Sequence, residues 1–218
     1  MNQKLYEGRS ARLRDATLIA IFRTSAPEHA VEGIGAAVRG GFEAVEITLN
    51  AVGATDALEQ VAGRVDAIVG AGTIVRPDQV KEAYDAGAEF IVTPILDPAI
   101  VDAAHELSLP IAMGASTPTE IFRAREAGAD WVKVFPAESL GGPDYISTVR
   151  GPLGNVPILV TGGVTAGNYL GYLDAGVELV GFGEAVFDPD VAAKGDYEEL
   201  ERRAIDVCRR LDTYEPPE

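Results

Sequence analysis

Short β-branched runs alternate with helical patterns along this 218-residue chain, and that alternation sharply limits the folds open to it. The runs are Leu18–Phe22, Ala44–Leu49, Ala67–Gly72, Phe90–Thr93, Pro110–Met113, Trp131–Phe135, Ile158–Thr161 and Leu179–Gly183. Helical patterns fill the gaps, among them Pro27–Arg39, Pro77–Ala86, Pro98–Leu107, Pro118–Ala127 and Thr165–Ala175. Proline suits a helix start, because its missing N–H is unpaired in the first turn anyway. Four helices end in one signal: Arg39-Gly40-Gly41, Asp85-Ala86-Gly87-Ala88, Glu126-Ala127-Gly128-Ala129 and Asp174-Ala175-Gly176-Val177. A glycine just past a helix takes the left-handed cap before the next strand. One helical segment precedes the first run, and another, around Tyr197–Leu211, follows the last. Eight such units without a linker predict a single α/β domain over residues 1–218, a (β/α)8 TIM barrel with an extra N-terminal helix. A doubly wound open sheet is the competing arrangement.

Side-chain alternation assigns the two faces of each strand. On the sixth run Trp131, Lys133 and Phe135 share a face, and Val132 and Val134 share the other. The valine pair suits the helix layer, so Lys133 points into the barrel. The chain has four lysines, and Lys4, Lys81 and Lys194 lie in surface-like helix or loop. An ammonium on a buried strand must be paired or lose its proton. A neutral amine in a dry pocket is what Schiff-base chemistry on a carbonyl requires. A lysine whose head reaches the strand end, or pairs with a carboxylate, is the other reading of this run. By the same alternation Glu46 and Thr48 face inward, opposite Val45, Ile47 and Leu49. An acid and an amine inside one barrel form a stronger signal than either alone. Barrel active sites form at the carboxyl ends of the strands. The polar strand ends here are Arg23, Glu46, Asn50, Thr73, Thr93-Pro94, Lys133, Phe135 and the turn Thr161-Gly162-Gly163.

The net charge of −16, from 34 acidic and 18 basic residues, disfavours nucleic-acid binding, since phosphate backbones recruit Lys and Arg. Such acidity fits an ordinary soluble enzyme or, more sharply, a halophile's salt-loaded cytoplasm in which carboxylate repulsion is screened. No run reaches the roughly 18–20 apolar residues of a membrane span. The charged N-terminal stretch lacks the apolar core of a signal peptide, which suggests a cytoplasmic location. Cys208 is the only cysteine, and His29 and His105 fall in helical stretches, so neither a disulfide framework nor a metal site is expected.

In order along the strand ends stand Glu46-Ile-Thr-Leu, Gly70-Ala-Gly-Thr73, Thr93-Pro94, Lys133-Val-Phe-Pro-Ala137 and Thr161-Gly-Gly163. With these motifs the chain, from about Leu18 to Asp196, resembles the 2-keto-3-deoxy-6-phosphogluconate (KDPG) / 4-hydroxy-2-oxoglutarate (KHG) aldolases, class I enzymes on a trimeric (β/α)8 barrel. The resemblance implies a lyase that releases pyruvate from a small 2-keto acid through a lysine Schiff base, needs no cofactor and forms a homotrimer. It makes Lys133 the Schiff-base lysine, Glu46 the proton shuttle and Thr73 a ligand of the pyruvate carboxylate, with Pro94 and Phe135 as walls. Neither histidine is placed to move protons, which leaves Glu46, acting through a water. Gly162 and Gly163, with Gly181 to Gly183, follow strands seven and eight, where barrels commonly bind phosphate through backbone N–H groups.

Two positions depart from the family pattern. Asn50 stands where an arginine often grips the carboxylate, and Arg23 offers a replacement cation. Glu184 stands where a phosphate-binding serine is common, and a carboxylate repels phosphate. The same chemistry on the unphosphorylated acid or on hydroxy-oxoglutarate is therefore the alternative. A phosphate-binding isomerase or epimerase would not need the inward lysine, and a non-catalytic metabolite-binding barrel would not need Glu46 and Lys133 together.

Overall fold

The computed structural model describes residues 1–23 and 29–215. Pro27, expected to open the second helix, lies outside the described residues. Eight parallel strands close into a barrel in chain order. They are β1 (Leu18–Phe22), β2 (Ala44–Thr48), β3 (Ile68–Gly72), β4 (Phe90–Val92), β5 (Ile111–Ala115), β6 (Trp131–Val134), β7 (Ile158–Val160) and β8 (Leu179–Phe182). Helix α1 (Gln3–Ala16) precedes the barrel, and α2 (Ala30–Arg39), α3 (Ala54–Val61), α4 (Pro77–Asp85), α5 (Pro98–Glu106) and α6 (Pro118–Glu126) follow the first five strands in turn. A 3-10 turn (Glu138–Leu140) and α7 (Gly142–Leu153) follow β6, α8 (Tyr169–Asp174) follows β7, and α9 (Pro189–Ala193) and α10 (Tyr197–Asp212) follow β8. Closure into a ring, with no open edge, excludes the doubly wound sheet.

Two apolar layers follow from the strand alternation. Val45, Ile47, Val69, Ile91, Val132, Val134, Val160 and Val180 face outward into the helix layer. Ile19, Ile21, Ala44, Ile68, Phe90, Trp131, Leu159 and Leu179 fill the barrel itself. Leu13 and Ala16 of α1 join that interior cluster, so α1 closes the end where the strands begin. It is pinned there by Tyr6, whose hydroxyl donates to Asp130, and by Arg9, which donates to the Ser108 carbonyl at 3.0 Å. The closing glycines behave as their positions require: Gly41, Gly87, Gly128 and Gly176 take φ between 83° and 110°.

Most strands stop one residue short of the sequence reading. Leu49, Thr93, Phe135, Thr161 and Gly183 all leave the sheet, because the chain splays outward at the carboxyl ends to form the loops of the site. Strand β5 instead runs on to Ala115. The helix expected from Thr165 starts only at Tyr169. The Asn168 side chain accepts the Thr165 N–H at 2.8 Å, a local turn that competes with the helix for that donor.

Candidate active site

The carboxyl ends of the strands surround a cavity of about 800 Å³. Its lining includes Arg23, Glu46, Thr73, Pro94, Lys133, Phe135, Thr161, Gly162, Gly163, Gly183 and Glu184. Of the residues expected at the site, Asn50 alone is absent from that lining, since it lies exposed in the turn after β2. Arg23, at the end of β1, lies close enough to exert an electrostatic effect on both Glu46 and Lys133. The geometry thus brings a cation to the site from β1 rather than a polar group from position 50.

Glu46 and Lys133 occupy inward positions in the register. Glu46 stands beside Ile21 of β1 and Gly70 of β3, and Lys133 stands beside Gly114 of β5 and Leu159 of β7. Glu46 is 0% exposed and Lys133 6%. Desolvation dominates at both. It raises the Glu46 carboxyl above its ordinary value, while the charges of Lys133 and Arg23 pull the other way. It lowers the Lys133 ammonium, opposed by Glu46 and aided by Arg23. Each group is therefore driven toward its neutral form, a protonated acid and a free amine.

They do not form a close ion pair, because no Lys133–Glu46 nitrogen–oxygen contact falls within 4.0 Å. Both carboxylate oxygens of Glu46 and the Thr48 hydroxyl are buried without a hydrogen-bond partner among the described residues. A buried polar group left this way is costly. Its persistence marks a group held ready for something other than structural pairing.

Glycines make the room. A Cβ at Gly72 would lie 1.6 Å from Oε1 of Glu46, and one at Gly70 would lie 2.3 Å from the Phe90 ring. A Cβ at Gly114 would meet the Pro94 carbonyl at 2.2 Å, so Pro94 reaches over β5 only because that position is bare. Sequence reasoning had treated these glycines as parts of a motif. The usable signal was their spacing, since Gly70 and Gly72 are successive inward positions on one strand.

Thr73 follows Gly72 with φ +58°, a conformation that β-branched residues rarely adopt. Hydrogen bonds on either side hold it there: Leu49 N–H to the Gly72 carbonyl at 2.8 Å, and Ile74 N–H to the Val92 carbonyl at 3.3 Å. Strain of this kind collects at functional sites. The Phe135 ring centroid lies 5.5 Å from Nζ of Lys133. Ser116 anchors the Phe135 backbone by donating its hydroxyl to that carbonyl at 2.6 Å.

The β7 and β8 ends form the opposite wall. Gly162 and Gly163 take φ +89° and +81°. The N–H groups of Gly162, Gly163, Gly183 and Glu184 have no backbone partner among the described residues. Glu184 is exposed at the rim. Asp188, which the sequence did not single out, also lines the cavity, but it caps α9 and pairs with Arg203 at 3.3 Å. Among the described residues, no group of three or more His, Cys, Asp or Glu is arranged to hold a metal ion.

Comparison with known proteins agrees with this geometry. Residues 10–203 match the family described as KDPG and KHG aldolase. The chain is 36% identical over 178 residues to the KHG/KDPG aldolase of Escherichia coli K12, covering 81% of this chain and 84% of that protein. It is 37% identical over 174 residues to the 2-dehydro-3-deoxy-phosphogluconate aldolase of Dickeya dadantii, covering 79% and 82%. Among solved structures, the Legionella pneumophila KDPG aldolase with pyruvate captured as a covalent carbinolamine superposes with a TM-score of 0.82 at 25% identity, covering 91% of this chain and 97% of that one.

Proposed function

We propose, since this chain belongs to the KDPG and KHG aldolase family, that it cleaves 2-keto-3-deoxy-6-phosphogluconate to pyruvate and glyceraldehyde 3-phosphate. It is a carbon–carbon lyase of the aldolase type. The observation that carries the residue assignment is the unpaired couple inside the barrel, the buried amine of Lys133 and the orphaned carboxyl of Glu46. The neutral amine adds to the C2 carbonyl, and the carbinolamine loses water to give an iminium. That cation accepts the electron pair of the C3–C4 bond as it breaks. Glu46, through a water, takes the C4 hydroxyl proton as the aldehyde leaves and returns a proton to C3 of the enamine. Hydrolysis then frees Lys133 and pyruvate. Thr73 and Arg23 are placed to hold the carboxylate end, with Pro94, Phe135 and Thr161 around the bound carbon chain.

The partner is a small 2-keto acid. A homotrimer, a cytoplasmic location and a salt-rich setting complete the reading. The trimer is favoured by large apolar side chains left exposed on three consecutive strand-to-helix loops, Val52, Val75 and Ile95. No helix among the described residues is long and apolar enough to cross a membrane.

Two experiments bear on the site here. Gly72→Ala should displace the Glu46 carboxylate, and turnover should fall roughly 10- to 100-fold, the scale set by ångström-sized misplacement of a reacting group. Borohydride trapping of pyruvate on Lys133 should survive. Wild-type turnover in this variant would mean that the glycine does not set the acid's position.

The second concerns Glu184. Comparing kcat/KM for phosphorylated and unphosphorylated 2-keto-3-deoxygluconate should show preference for the phosphorylated acid. Glu184→Ser should strengthen that preference by removing a like charge from the rim. An unchanged ratio would place the Glu184 side chain away from the phosphate. A wild-type preference for the unphosphorylated acid would overturn the substrate assignment and leave the lyase chemistry standing.

A further inference from the structure

We propose that Asn168 is a positioning residue that turns the β7 loop into a three-donor anion cradle, and that Val164 N–H is its third donor. The inference rests on the phosphorylated substrate proposed above. Across a trans peptide the C=O and the following N–H point in opposite directions. In this loop three successive carbonyls are engaged on one side. Ala137 N–H donates to the Thr161 carbonyl at 2.9 Å, and Glu138 N–H donates to the Gly162 carbonyl at 3.1 Å. The Asn168 amide donates to the Gly163 carbonyl at 3.0 Å. The N–H groups of Gly162, Gly163 and Val164 therefore point the other way. None has a backbone partner among the described residues, and all three residues line the cavity. Successive N–H groups converging in this way form a concave anion site.

The first two carbonyls are held by backbone donors, whereas the third depends on one side chain. Asn168 is itself fixed on both sides of its amide. Its oxygen accepts the Thr165 N–H at 2.8 Å, and its nitrogen also donates to Oε2 of Glu138 at 3.1 Å. That same carboxylate oxygen accepts the buried Tyr172 hydroxyl at 2.9 Å. A Cβ at Gly163 would lie 2.4 Å from Cβ of Glu138, so the loop packs directly against its support. The chain Tyr172–Glu138–Asn168–Gly163 thus ties a buried tyrosine on α8 to the orientation of the Val164 N–H. No atom of Asn168 needs to touch substrate.

Asn168→Asp tests this, because it keeps the shape and the acceptor for Thr165 but loses the donor to Gly163 and faces Glu138 as a like charge. KM for the phosphorylated acid should rise roughly 10- to 100-fold, the worth of one hydrogen bond to a charged group, while kcat changes less than about twofold. The phosphorylated-to-unphosphorylated ratio of kcat/KM should fall by the same factor, and competitive inhibition by inorganic phosphate should weaken in parallel. Tyr172→Phe, which frees one bond to Glu138, should shift the ratio in the same direction by less, and it reads the proposal if the aspartate variant does not fold. A folded Asn168→Asp enzyme with an unchanged ratio and unchanged phosphate inhibition overturns the proposal alone. A wild-type enzyme that neither prefers the phosphorylated acid nor is inhibited by phosphate overturns the substrate reading and the cradle with it.

Discussion

Lys133→Ala is expected to abolish turnover and, with it, the borohydride-reduced pyruvate adduct, while the barrel stays folded. The variant removes the one lysine that lines the cavity, the others lying in α1, in α4 and after α9. An ordinary lysine, with a pKa of about 10.4, is neutral in fewer than about one molecule in a thousand at pH 7. Burial lowers that value here, so a larger share is free to add to a carbonyl. The rate of adduct formation should therefore rise with pH along a limb that lies below the ordinary lysine range. Peptide mapping by mass spectrometry checks the site. A reduced adduct on Lys4, Lys81 or Lys194, or one that persists in the alanine variant, would sink the assignment.

Glu46→Gln should cut turnover by roughly 10²- to 10⁴-fold, the usual worth of a general acid–base group. Adduct trapping at Lys133 should persist, and its pH dependence should move. Glu46 is the neighbour that holds the Lys133 ammonium up, so its neutralisation lets the amine lose its proton at lower pH. Stability supplies an independent sign. The folded-state pKa of Glu46 is raised, so its contribution to stability is fully present below the unfolded value of about 4.3 and is lost as pH rises through the folded value. A glutamine does not titrate. The difference in Tm, variant minus wild type, should therefore grow more positive as pH climbs from about 4 toward neutrality. A flat difference would mean that the carboxyl titrates as it does in the unfolded chain. Near-wild-type turnover would make Glu46 a structural acid and leave the proton to another group.

The two expectations pull apart activity and stability at one residue, as is common where a site holds a buried, unpaired polar group. Lost turnover with gained stability is the signature of a carboxyl kept for chemistry. Loss of both would point to a structural role instead.

The sequence by itself determined the barrel, because period-two alternation on every strand and glycine-closed helices leave few other ways to bury the apolar faces. The same periodicity sent Lys133 and Glu46 inward, since Val132, Val134, Val45 and Ile47 must face the helices. It also collected most of the cavity lining, because strand ends are legible as polar residues after apolar runs. What only the tertiary structure decided depends on neighbours that lie far apart in the chain. Asn50 leaves the site because β2 ends at Thr48 and the turn carries residue 50 outward, a matter of one or two residues that no propensity resolves. Gly72 matters because the Glu46 carboxylate of the adjacent strand lies over it, a contact set by the β2–β3 register. The start of α8 at Tyr169, and the role it leaves for Asn168, arise because Glu138, thirty residues earlier in the chain, comes to lie beside that side chain. Alternation along a strand is a local property of the backbone, whereas lateral contact between side chains exists only once the ring has closed.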